Sequence, residues 1–137
     1  MAIVVDASIA LKWLVAEEDS AAAILLRAEH DVLAPDLLLI ECRNVLLSKV
    51  RQKRLSRDAA LRAEIDIDAS GIEIVPSQPL LPVAFALALE LGEPIYDCIY
   101  LAAAIAVDRT LVTADTRFVR SANRLPSVKG RVTLLGA

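Results

Sequence analysis

PIYDCIYLAAAIAVDRTLVTAD, residues 94–115, is the stretch on which the reading of the fold turns. Its uncharged run, CIYLAAAIAV at 98–107, is ten residues of good helix formers headed by one carboxylate, Asp97. A short break follows, and then TLVT at 110–113, a β-branched run without polar alternation, as expected of a parallel strand covered on both faces. Asp115 closes it. The stretch therefore reads as helix then strand, with an acid at the start of one and just past the end of the other. A carboxylate in apolar surroundings is unfavourable unless it is paired, hydrogen-bonded or bound to a cation.

Working outward, the same alternation covers the chain. AIVV at 2–5 reads as a strand, SIALKWLV as a helix, and AAAILLRA as a second helix capped by Asp19 and Ser20. Val32 and Leu33 make a brief strand. Pro35 and Asp36 open a long helix to about Gln52, and Ser56 caps the next. IEIV at 72–75 is a strand closed by prolines at 76, 79 and 82; a helix at about 82–91 ends at Gly92. The helix from Tyr96 to about Val107, the strand 110–113, a short helix near 116–123 and a last strand, VTLL, complete the chain. With no repeat, linker or low-complexity segment, residues 1–137 read as a single α/β domain. Right-handed crossovers make its sheet largely parallel.

Composition narrows the class. The chain is 56% hydrophobic, enough for a sizeable core, but its longest uncharged apolar runs hold ten residues, half of the roughly 20 that span a bilayer. MAIVVDAS puts a charge at position six and does not read as an export signal, so the expectation is a cytoplasmic protein that does not enter a membrane. Cys42 and Cys98 lie in apolar helical patterns without CxxC spacing and read as core packing. The single histidine, His30, reads as a surface residue, so a Ser-His-Asp triad or a His-rich zinc site lacks material. Four glycines and no GxGxxG or P-loop motif exclude a phosphate-cradling loop and a nucleotide cofactor.

The net charge of −3 conceals a segregation. Residues 43–62 carry seven basic side chains and one acidic, and residues 116–137 carry five basic and none acidic. The segments 1–42 and 63–115 carry −6 and −8. A solvated helix face and a basic tail account for this as bland features; it also suits a protein that brings polyanions to an acidic site.

Four carboxylates stand out. Asp6 and Asp115 directly follow predicted parallel strands, where open α/β sheets hold ligands, and Asp97 and Glu41 lie in the first and second turns of apolar helices. Each has a plainer reading. Asp6 and Asp115 can cap the helices that follow, Asp97 suits a positive helix terminus, and Glu41 aligns with Asn44 and Ser48 on a solvated stripe. Asp66 and Asp68 resemble a DxD pair, but two residues apart on a helix they point to nearly opposite sides, so they read as solvent-facing. Brought together, four carboxylates raise one another's pKa unless a cation joins them. An all-oxygen set selects a hard cation, Mg²⁺ or Mn²⁺, which activates water and neutralises charge on a phosphodiester.

The series IVVDAS, the acid in LLLIECRNVL, YDCIYLAAA and LVTADTRF resembles PIN domains, and specifically the VapC-type toxins of toxin-antitoxin modules, over nearly the whole chain. The resemblance implies a three-layer α/β/α sandwich and a metal-dependent endoribonuclease whose acidic quartet falls on Asp6, Glu41, Asp97 and Asp115 as catalytic and metal-binding residues. It implies that Ser8 and Thr113 hydrogen-bond around that quartet, that RNA is cut by metal-activated water, leaving a 5′-phosphate and a 3′-hydroxyl, and that the protein forms a homodimer silenced by an antitoxin. On this reading Arg43, Lys49, Arg51, Lys53, Arg54, Arg117, Arg120 and Arg124 track the RNA backbone. Tyr96 and Tyr100 lie near a groove or dimer face, and Trp13 lines the antitoxin groove or the core. Two rival classes are a non-catalytic RNA- or protein-binding domain and a metal-dependent phosphatase. The phosphatase needs a DxD pair after the first strand, where Ser8 stands instead.

Overall fold

The computed structural model describes residues 1–137. Five strands form one sheet: β1 (Ala2–Val5), β2 (Asp31–Pro35), β3 (Glu73–Val75), β4 (Leu111–Thr113) and β5 (Val132–Leu134). Their spatial order is β3-β2-β1-β4-β5, and every pairing is parallel. Seven helices connect them: α1 (Ala7–Leu14), α2 (Ser20–Glu29), α3 (Leu37–Arg51), α4 (Arg57–Asp68), α5 (Leu81–Leu91), α6 (Ile95–Ala106) and α7 (Thr116–Asn123). The sequence-predicted elements all form, with ends shifted by a residue or two. The largest departure is β2, which extends the pair Val32 and Leu33 to five residues.

The path from β1 through β2 to β3 crosses the sheet in one direction, and the return to β4 and β5 runs in the other, so connections of one hand place helices on both faces. Helix α1 contacts α2, α3 and α4, and α3 packs on α4, while α6 packs on α5 and against β1, β2 and β4. Val4 and Val5 of β1 are accordingly buried, as the lack of alternation in AIVV requires. The α6 helix is the most enclosed of the helices. Seven consecutive residues, Cys98 to Ala104, are buried, and the alanines let its backbone approach the sheet closely. No single helix is long and apolar enough to cross a membrane.

Local signals hold at most helix ends. Ser56 accepts from the Ala59 N–H as a cap, and Gly92 takes the left-handed conformation, φ 65°, that ends α5 and turns the chain into α6. Asp19 is an exception. It occupies the N-cap position with φ 65° and makes no capping hydrogen bond, and the Ser20 hydroxyl instead accepts from the Glu17 N–H. Cys42 and Cys98 are free and fully buried, as core residues; burial pushes their thiols up, to about 12 and about 11.

Candidate active site

Strand order reverses between β1 and β4, and a crevice at the carboxyl ends of those two strands is where a parallel sheet of this kind holds its ligand. Val4 and Val5 pair with Leu111 and Val112, so the next residues along, Asp6 and Thr113, emerge side by side. Asp6 Oδ2 accepts from the Thr113 hydroxyl at 2.5 Å, and Oδ1 accepts from the Ser8 hydroxyl at 2.5 Å and the Ile9 N–H at 3.3 Å. The Ser8 oxygen accepts in turn from the Ala114 N–H, and the Thr113 oxygen from the Asp115 N–H. Ser8 and Thr113 thus stitch the two strand ends together around Asp6.

The capping readings of Asp6 and Asp115 also hold: Asp6 caps α1, and Asp115 caps α7 through the Phe118 N–H at 3.2 Å. Capping and a place in the crevice are compatible, because both follow from standing between a strand end and a helix start. Glu41 is not on a solvated stripe. Its Oε1 accepts from the Tyr100 hydroxyl at 2.5 Å, a link from α6 to α3. Tyr100 is 1% exposed and therefore faces neither a groove nor a partner, whereas Tyr96 is 56% exposed. The sequence missed this role for Tyr100 because a tyrosine in an apolar helix reads as packing; the only signal was a phenol that burial obliges to find a partner. Trp13 packs against the core, donates to the Ala23 carbonyl at 2.7 Å and carries the Arg27 guanidinium over its ring.

Asp97, in the first turn of α6, has no capping hydrogen bond. Burial, and then the charges of Asp6, Asp115, Glu41 and Glu93, push its carboxyl up to about 6. Burial also raises Asp6, against the hydrogen bonds from Ser8 and Thr113, and raises Glu41, against the bond from Tyr100. The four sequence-predicted acids therefore share one electrostatic environment, together with a fifth, Glu93. As the side chains stand, no group of three or more His, Cys, Asp or Glu is arranged to hold a metal ion. The donors nonetheless suit a hard cation: all are carboxylate oxygens, and Asp97 is a charged group set against four others of the same sign.

The basic residues divide. Arg51, Lys53, Arg54, Arg120 and Arg124 are exposed, but Arg51 ends α3, roughly 15 Å along the helix from Glu41 at 1.5 Å per residue, and Lys53 and Arg54 lie in the turn beyond it. Arg43 is tied to Glu64 at 3.0 Å, to Asp68 at 3.8 Å and to the Leu39 carbonyl. Lys49 departs from the sequence expectation: it is buried, and its Nζ pairs with Glu17 at 3.1 Å, so it faces the protein and not RNA. Lys49→Ala is expected to cost about 1–3 kcal/mol, because Glu17 loses its partner in a site with little water, and, if the chain binds RNA, to leave the salt dependence of that binding unchanged. Chemical denaturation and a salt titration check the two halves. Asp66 and Asp68 are exposed, as their spacing implied.

A family model for the PIN domain matches residues 3–123. A search of curated proteins finds no significant match. Among solved structures, a protein of Pyrobaculum aerophilum superposes with a TM-score of 0.72 at 23% identity, over 98% of this chain and 92% of the other. VapBC2 from Rickettsia felis, solved with a DNA fragment from its promoter, gives 0.67 at 18% identity, covering 98% of each chain. VapC20 of Mycobacterium tuberculosis, a toxin that cleaves the sarcin-ricin loop, gives 0.66 at 18% identity over 87% of this chain and 94% of that one.

Proposed function

The chain belongs to the PIN domain family, and from that premise we propose that it is a metal-dependent endoribonuclease, the toxin of a toxin-antitoxin pair. The observation that carries this reading is the convergence of acids from four separate elements, β1, α3, α6 and β4, on the crevice where strand order reverses. Asp6, Asp97 and Asp115 would hold the cation, with Glu41 binding directly or through water. When bound, Mg²⁺ or Mn²⁺ supplies an activated water at neutral pH and offsets charge on the phosphodiester. Ser8 and Thr113 fix both oxygens of Asp6, and Tyr100 fixes one oxygen of Glu41, leaving its second oxygen free to face the crevice. Such anchoring matters because phosphoryl transfer depends mainly on positioning and charge neutralisation. The exposed arginines of α7 would guide the RNA backbone.

Apolar surface supports protein partners. The α5 helix leaves Val83, Phe85 and Leu89 exposed, which fits a homodimer face, and a trough between α3 and α4, lined by Leu46, Val50 and Leu61, fits an apolar antitoxin segment. The R. felis neighbour is itself solved as a VapBC2 assembly. A second reading is a PIN-like binding domain without catalysis. Incubating the purified chain with total RNA in Mg²⁺, Mn²⁺ or EDTA, and sequencing the ends, separates the two. We expect cuts at a few single-stranded sites with 5′-phosphates, dependent on metal. Intact RNA in both metals, with binding retained, would establish the second reading.

A further inference from the structure

A fifth carboxylate, Glu93, stands beside the quartet and takes no part in the reading above. It lies between Gly92, whose left-handed turn ends α5, and Pro94, which precedes α6. Its side chain is only 6% exposed, and its Oε2 accepts from Arg117 Nη1 at 2.6 Å. Arg117 is the second residue of α7, and its other terminal nitrogen stands 3.8 Å from Asp115 Oδ2. The two partners differ in surroundings, since the Arg117 side chain is 65% exposed. A sheltered anion thus grips one edge of a guanidinium whose other N–H groups face solvent at the rim of the acidic crevice. Arg43 is tied to the protein and Lys49 is buried, while Arg51 lies at the last turn of α3 and Lys53 and Arg54 lie beyond it. Arg117 is the basic residue both held in place and adjacent to the acids.

From this geometry we infer that Glu93 is a positioning residue that holds the Arg117 guanidinium to receive a phosphate oxygen of the RNA strand entering the crevice. The inference rests on the ribonuclease reading and adds to it. A free arginine loses side-chain entropy when it captures a phosphate; one already fixed by a desolvated carboxylate loses less and presents a planar fork suited to phosphate oxygens.

A double-mutant cycle tests it, using an RNA that the parent cuts, with affinity measured by fluorescence anisotropy in EDTA, where cleavage is stopped. Arg117→Ala is expected to weaken binding about tenfold and to lower the slope of log K against log salt by about 0.7, one phosphate contact on a single strand. Glu93→Gln keeps volume and an acceptor but removes the charge; it is expected to weaken binding severalfold in the parent and not at all in the Arg117→Ala background. If the Gln variant does not fold, Glu93→Asp, which withdraws the carboxylate by one methylene, is expected to behave in the same way. In Mg²⁺ the Glu93 effect should fall on KM more than on kcat. Losses that simply add in the double variant, or an Arg117→Ala chain that binds like the parent, would overturn the inference while leaving a cutting parent intact. A parent that neither cuts nor binds RNA would instead overturn the ribonuclease reading and this inference with it.

Discussion

Asp97→Asn is expected to lose the proposed metal-dependent RNA cleavage by about a thousandfold, and yet in EDTA at neutral pH to melt no lower than the parent. Loss and gain have one cause. The Asp97 carboxyl is raised to about 6 from its ordinary 3.8 by burial and by Asp6, Asp115, Glu41 and Glu93, so the fold disfavours its ionised form. The sign follows from linkage. A group whose folded pKa is raised contributes stability that is fully present below the unfolded pKa and is lost as pH rises through the folded one, here between about 4 and 6. In EDTA the parent should therefore weaken over that interval more than the Asn variant does, by an amount that partial solvent screening of Asp97 reduces. Adding metal should raise the parent's melting temperature and barely move the variant's, since only the parent offers the full ligand set. A helix-terminus role predicts the reverse, an Asn variant less stable by about 0.3–1 kcal/mol with or without metal and still active. Thermal melts at several pH values, with and without metal, and one cleavage assay decide between them.

Thr113→Val is the second large effect. The change is close to isosteric at a fully buried position, so it removes little packing. It does remove the donor to Asp6 Oδ2, a bond that joins the ends of β1 and β4, and the acceptor of the Asp115 N–H. We expect stability to fall by about 1–3 kcal/mol, and metal-dependent cleavage to fall by about 10- to 100-fold, the usual consequence of removing a group that orients a ligand. Asp6 should also become harder to ionise, because the Thr113 bond is one of the influences that lower its pKa against burial. The acid limb of the pH–rate profile should then move to higher pH. Thr113→Ser, which keeps the hydroxyl, should recover most of the activity. A Val variant as active as the parent would mean that Asp6 needs no orientation from β4.

The sequence by itself determined the elements and the positions of the acids along them, for a local reason. Helix and strand periods, the unalternating AIVV and TLVT, the cap at Ser56 and the stop at Gly92 are all properties of a few adjacent residues. An acid just past a strand or at a helix start can be read in the same window, which is why Asp6, Asp97 and Asp115 were legible. Tertiary structure alone decided which groups meet. Thr113 reaches Asp6 across 107 residues because β4 returns beside β1, and Tyr100 reaches Glu41 across 59 because α6 lies against the sheet near the start of α3. Glu93 meets Arg117 across 24, and Lys49 turns inward to Glu17 across 32. A charged side chain carries no local mark of the direction it will take. Its partner is set by strand order and helix packing, and these depend on burying the whole apolar surface at once rather than on any one segment.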